Sequence, residues 1–177
     1  MTYFMNGVME VINYPIVLLV LAALGLFLGQ QSQQRLLTVT LPSFLIAVIV
    51  GLVLARIRVL VGNVNISTLV LAGLMALSTV LYLKPPLALS VLCAALSGLA
   101  VGLIVKPFLL PGFFGFKVYT TFAGVAFNAT ALLLSVLGIA LVLKQFWEGV
   151  LVRAVASWIV ASTLMVLVLS FTKVLKL

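Results

Sequence analysis

The chain has 177 residues, of which 66% are hydrophobic and only 7% charged, and its mean hydropathy is +1.45. Soluble domains carry charge on roughly a quarter of their residues, so this composition predicts an integral membrane protein. Ten Lys and Arg residues stand against two Glu, and Asp and His are absent. These absences argue against histidine-based and paired-carboxylate catalysis and against most metal sites, so we expect no enzyme, no metal and no cofactor.

Six apolar stretches are each long enough to cross a membrane, which takes about 20 apolar residues for about 30 Å of hydrocarbon. They cover residues 11–29, 41–61, 66–83, 87–105, 118–143 and 150–171. Because they are apolar on every side and much longer than strands, helices are the economical way to satisfy their backbone groups in lipid. The sequence therefore predicts an all-α fold, a polytopic integral membrane bundle of about six transmembrane helices in a single domain, residues 1–177.

The connections between these stretches add detail. No basic residue precedes the first span, unlike in a cleaved signal peptide, so we expect that span to be retained. Pro85 and Pro86 separate the third and fourth spans, which predicts a tight antiparallel hairpin. Residues 106–117, KPFLLPGFFGFK, are broken by proline and glycine and rich in Phe. They suit either an interfacial loop or a re-entrant loop.

The basic residues flank the spans and set the expected orientation. With six spans, both termini lie on one side of the membrane. That side would hold Arg56, Arg58, Lys106, Lys117, Lys173 and Lys176, and the other Arg35, Lys84, Lys144 and Arg153. The excess favours cytoplasmic termini in a multi-pass protein of the cell membrane. Because these cations are scattered, we expect the lipid bilayer as partner and no nucleic acid.

Small residues mark the expected helix contacts. In the fourth span Ala94, Gly98 and Gly102 recur every four residues and form a stripe suited to close helix packing. In the fifth span Asn128 is the side chain that is costliest to leave unpaired in hydrocarbon. Gly124 lies one turn before it on the same face, where it would admit a neighbouring helix close enough to bond to the amide.

Four polar positions inside the spans have two interpretations. Ser97, Asn128, Thr130 and Ser135 either make hydrogen bonds within and between helices or line a pathway for a solute. The two carboxylates of the chain lie at predicted membrane edges. No span therefore has near its middle the carboxylate or His that a proton-coupled carrier usually needs.

Two stretches carry a family resemblance. Residues 95–102 read ALSGLAVG and residues 129–139 read ATALLLSVLGI. They resemble motifs of the HupE/UreJ membrane proteins, nickel or cobalt permeases of about six spans that accompany hydrogenase and urease systems. Residues 69–77, LVLAGLMAL, are similar to the family's third span, and Leu41 and Pro42 resemble the start of its second span, so the resemblance covers most of the chain. In the family pattern L-F-H-G-H-A-H-G the small residues are matched, but Ser97, Leu99 and Val101 replace the histidines, and Ser135 replaces the histidine of the fifth span.

The resemblance implies a permease-like scaffold without its metal chemistry. Nickel needs imidazole, thiolate or carboxylate ligands, so nickel transport is not carried over to this chain. One hypothesis is a divergent permease for a small, uncharged solute, with its pathway between the fourth and fifth spans. The alternative is a structural or assembly subunit that packs against membrane protein partners or against further copies of itself.

Overall fold

The computed structural model describes residues 2–31, 34–56, 64–83, 85–105, 116–146 and 149–174. All regular structure in these ranges is helical, which confirms the all-α prediction for this part of the chain. The seven helices are α1 (Thr2–Ile12), α2 (Pro15–Gln31), α3 (Gln34–Arg56), α4 (Val64–Val80), α5 (Leu87–Ile104), α6 (Phe116–Phe146) and α7 (Val150–Val174). Helices α2 to α7 fall on the six predicted spans, except that residues 57–61 of the second span lie outside the described residues, and α1 lies before the spans apart from its last two residues.

Several of these helices are long and apolar enough to cross a membrane. The stretches that qualify are Leu37–Ala55, Leu87–Ile104, Val118–Gln145 and Val150–Ser170. Helices α1 and α2 qualify together, but a bend of 77° separates them. Helix α4 is apolar but has 17 residues, about 25 Å of rise. Length and composition thus support four or five crossing units in the described part of the chain, against the six predicted.

Pro15 explains the break between α1 and α2. It has no N–H to donate to the carbonyl of Val11 four residues earlier, and its ring would clash with that carbonyl. The chain instead closes short turns, with Asn13 N donating to Glu10 O at 3.2 Å. Proline is well suited to begin a helix, and α2 begins at Pro15. The predicted span 11–29 therefore includes the last two residues of α1 as well as α2.

Helix α2 lies at the centre of the bundle and contacts α4, α5, α6 and α7. Its sequence is apolar on all sides, as expected for a helix surrounded by protein. Leu21, Leu24 and Leu28 are each at most 1% exposed. Helices α3 and α7, in contrast, keep large apolar side chains on the outer surface, where lipid would cover them.

Successive helices from α2 to α7 run in opposite directions. Helix α2 is parallel to α6, since Gly25 lies against Val136 and Gly29 against Ala140. The starts of α2 and α4 meet the end of α5 around a common cavity, whereas the ends of α2 and α4 meet the start of α5. We call the first of these ends the Tyr14 end and the second the Gln31 end.

Helices α3 and α5 pack more closely than the other described helix pairs and are parallel to each other. A Cβ added at Gly98 would lie 2.5 Å from Phe44 O, and one added at Gly102 would lie 2.5 Å from Val48 O. Gly51 meets the same seam, since its Cβ would lie 2.7 Å from Leu99 O. The backbones touch because glycine has no side chain to hold them apart.

Candidate functional site

A cavity opens at the Tyr14 end between α2, α4 and α5. Its volume is about 300 Å³, and its lining is Tyr14, Pro15, Ile16, Val64, Asn65, Leu103 and Ile104. The polar side chains of this lining are Tyr14 and Asn65, and the remainder is apolar. A mostly apolar concave lining with a few polar groups is the usual character of a small-molecule site.

Buried hydroxyls continue along the same interface of α2, α4 and α5. Thr68, Ala72, Met75 and Thr79 recur at helical spacing on one face of α4, and all four are at most 2% exposed. Thr68 Oγ1 donates to Val64 O at 2.6 Å, and Thr79 Oγ1 donates to Met75 O at 2.9 Å. Each hydroxyl thus satisfies its proton within its own helix and keeps lone pairs available as acceptors.

The middle of this interface is closed by a contact between Met75 and Ser97. Ser97 Oγ lies 3.6 Å from Met75 Sδ and donates to Cys93 O at 2.7 Å. Ser97 is fully buried. A methionine side chain has three rotatable bonds and adapts to its surroundings, so this closure depends on one flexible side chain.

Amide side chains form the polar group at the Gln31 end. Gln30 Nε2 donates to Thr79 O at 3.0 Å, which ties α2 to α4. Ser90 Oγ donates to Gln31 Oε1 at 3.0 Å, which ties α5 to α2. Gln31 Nε2 is buried and has no hydrogen-bond partner within the described residues. A buried donor without an acceptor costs free energy, about 1–3 kcal/mol for a neutral group.

Two cations at the same end cap neighbouring helices. Lys144 Nζ donates to Gln30 O at 2.8 Å, and Arg153 Nε donates to Val80 O at 3.1 Å. Both carbonyls belong to the last turn of a helix, where they lack intrahelical partners and carry the negative end of the helix dipole. Beside Lys144 lies a void of about 10 Å³, room for about one water molecule.

The interface between the two ends carries no ionic side chain. Residues 15–29 of α2, 64–83 with α4 and 85–105 with α5 include no Asp, Glu, Lys, Arg or His. In the described part of the chain, no three His, Cys, Asp or Glu residues come together as a metal site would require. The chemistry available along the interface is hydroxyl, amide, thioether and thiol.

The four predicted polar positions lie in separate places. Ser97 belongs to the interface just described, and Asn128 Nδ2 donates to Val8 O of α1 at 2.6 Å. Thr130 and Ser135 each donate to a carbonyl one turn back in α6, and Ser135 is exposed on the outer surface. Helices α5 and α6 make at most marginal contact, so the structure does not bring Ser97 together with the other three.

The predicted small residues all lie at helix contacts. Ala94 is fully buried in the core, and Gly98 and Gly102 face α3. Gly124 faces α1, where an added Cβ would meet Phe4 O. This close approach of α1 is what brings the carbonyl of Val8 within reach of the Asn128 amide.

Sequence reasoning did not identify the side chains at the two ends of the interface. Gln30 and Gln31 stand out as polar residues after an apolar run, which also fits an ordinary loop. Tyr14 is the fourth residue of the predicted span 11–29, and Asn65 directly precedes the predicted span 66–83. Their role depends on which helices meet, and spacing along the chain does not carry that information.

Comparison with known proteins adds no relative. No family model, curated protein or solved structure matches the chain.

Proposed function

We propose that this chain is a permease-like protein of the cell membrane that moves a small, uncharged polar solute along the interface of α2, α4 and α5. The observation that carries the proposal is the position of polar groups along one three-helix interface. A cavity with Tyr14 and Asn65 lies at one end, buried Ser97 in the middle, and Gln31 at the other end. Other buried faces of the bundle lack a comparable series among the described residues.

The proposal includes six crossing helices, α2 to α7, in a multi-pass arrangement. Their alternating directions put both chain ends at the Tyr14 end, which the excess of basic residues assigns to the cytoplasm. The resemblance to HupE/UreJ permeases supports the six-helix scaffold. With serine or aliphatic residues at the family's histidine positions, the solute is not a nickel ion.

The chemistry of the interface favours an uncharged solute that both donates and accepts hydrogen bonds. Moving an ion past residues without a countercharge costs several kcal/mol or more in a medium of low dielectric constant. A neutral polar molecule meets acceptor lone pairs on Thr68, Ser97 and Thr79 and a donor on Gln31. Passage requires the Met75 side chain to leave Ser97, so the described conformation is closed at its middle.

Cysteine accessibility tests the pathway. In a Cys93→Ala background, Ser97→Cys is expected to react with a small, polar methanethiosulfonate reagent in membranes, and a transported solute is expected to slow the reaction. Ser135→Cys is the matched control, since this serine also donates one turn back but faces the outer surface. We expect it to be unreactive in lipid. A Ser97→Cys variant that folds but stays inert to the reagent in membranes would exclude this pathway.

A groove between α3 and α6 favours the second candidate function, a structural or assembly subunit. Its volume is about 370 Å³, and it opens laterally with the lining Leu41, Pro42, Leu45, Ile46, Thr130 and Leu134. Side chains of a helix from a membrane protein partner, or from another copy, would fit such a groove. Purification from native membranes in mild detergent separates the candidates, because a subunit is expected to co-purify with a stoichiometric partner and a permease is not.

A further inference from the structure

Helix α1 differs from the other helices in having three distinct faces. Gly7, Val8 and Val11 face the neighbouring helices and are covered or half-covered by protein. A second face carries the polar side chains of Tyr3, Asn6 and Glu10. A third face presents Met5, Met9 and Ile12, which are 56%, 57% and 50% exposed. An exposed apolar face beside a polar face is typical of helices that lie in the membrane interface.

The orientation of α1 follows from its contacts. Helix α2 is parallel to α6, and α1 is bent by 77° from α2, so α1 crosses α6 at a steep angle. If α2 and α6 follow the membrane normal, α1 lies nearly in the membrane plane. It crosses α6 near Gly124 and so lies at the Tyr14 end of the bundle.

The contacts with α6 also show which side of α1 points toward the centre of the bilayer. On α1, Gly7 lies against the backbone of Thr121 and Val125, whereas the carbonyl of Val8 reaches the Asn128 amide, further along α6. Because α6 runs from the Tyr14 end toward the Gln31 end, the Val8 side of α1 points along the membrane normal toward the centre of the bilayer. The Gly7 side points away from the centre of the bilayer.

The two exposed faces of α1 are ordered in the same direction. Met5 and Ile12 lie three residues before and four residues after Val8, so they are on the side that faces the centre of the bilayer. Tyr3 and Glu10 lie four residues before and three residues after Gly7, so they are on the side that faces away from it. The apolar face thus points toward hydrocarbon and the polar face toward water.

We propose that α1 is an interfacial helix whose Met5, Met9 and Ile12 insert into the lipid leaflet at the Tyr14 end, just below the phospholipid headgroups. The occupant of this face is phospholipid, and the face continues the apolar outer surface of the bundle. The contact with α6 through Gly7, Gly124 and Asn128 fixes α1 at that depth. The proposal is independent of whether the interface of α2, α4 and α5 carries a solute.

Nitroxide depth measurement tests this assignment. Single cysteines replace Met9, Asn6 or Leu164 in the full chain with Cys93→Ala, and each is spin-labelled in vesicles of phosphatidylcholine and phosphatidylglycerol. Leu164 is the reference for the bilayer centre, because it is 57% exposed and next to Thr163, which faces the middle of α4 at Gly73. Asn6 is the matched control on the polar face of α1.

The expected result is a graded one. The label at Met9 should collide with oxygen several times more often, relative to a water-soluble nickel chelate, than the label at Asn6, and should lie shallower than the label at Leu164. A Met9 label as deep as that at Leu164 would show a re-entrant or spanning helix and overturn the proposal. A Met9 label open to the chelate would place the face in water and overturn it too, as would dipolar broadening between Met9 labels that shows this face paired with a second copy.

Discussion

Replacing Gly102 by alanine is expected to damage the fold through a single methyl group. The new Cβ would lie 2.5 Å from Val48 O, 2.7 Å from Leu52 N and 2.8 Å from the carbonyl carbon of Gly51. Close carbon–oxygen contacts in proteins are about 3.3–3.6 Å, so α3 must move away from α5 by about 1 Å. All three obstacles are backbone atoms, and no rotamer change relieves them. Overpacking of this kind costs about 1–3 kcal/mol, and this site belongs at the upper end of that range.

The assay is thermal unfolding of the purified protein in detergent, followed by size-exclusion chromatography of the fraction that stays monodisperse. By the scaling known for soluble domains of this size, about 3 kcal/mol lowers the melting temperature by about 6–12 °C. Gly138→Ala is the matched control: it also adds a methyl to a helical glycine, but nothing lies within 4 Å of the new Cβ. If Gly102→Ala melts no earlier than Gly138→Ala, the close α3–α5 contact does not exist in solution.

Three further substitutions have expected outcomes in the same assay. Tyr82, two residues after the end of α4, has φ 56°, so Tyr82→Gly is expected to remove about 1 kcal/mol of backbone strain and to raise the melting temperature. No gain in melting temperature would mean that contacts of the Tyr side chain outweigh the strain. Lys144→Met removes the cation at the end of α2 and should cost about 1 kcal/mol, whereas Lys144→Arg should restore most of it. Asn128→Leu removes the hydrogen bond to α1 and should cost about 0.6–1.7 kcal/mol of stability. Thr130→Val is the control, because it removes only a hydrogen bond within α6 and should cost less. Equal losses would contradict the role of the α1 contact.

The apolar stretches of the sequence were enough to locate six helices, but they did not show which helix is central. Helix α2 and helix α7 are both apolar on all sides, yet α2 is surrounded by protein and α7 is largely exposed. In a lipid environment the outer surface is as apolar as the core, so hydrophobicity does not distinguish an inner face from an outer one. Only small or polar residues make that distinction, and they are few.

Those few residues were informative where their pattern was noticed. The stripe of Gly98 and Gly102 lies on a helix contact, but the sequence did not indicate which helix is the partner. Helix α5 packs on α3, and its contact with α6 is at most marginal. Gly51, on the other side of the contact, belongs to a similar series with Ala47 and Ala55 that sequence reasoning overlooked. The candidate site shows the same difficulty, since Ser97 was grouped with α6 by sequence order, and the fold places it against Met75 of α4.

The contact between α1 and α6 has a consequence for how the chain assembles. The hydrogen bond from Asn128 to Val8 joins residues 120 positions apart, and that from Lys144 to Gln30 joins residues 114 apart. The N-terminal residues are synthesised first, so α1 and α2 exist long before α6. Until α6 is made, the residues that Gly7, Gly25 and Gly29 pack against are missing. Helix α1 is therefore among the last helices to be fixed in place, and a product that ends before α6 leaves the α6-facing side of the central helix α2 uncovered.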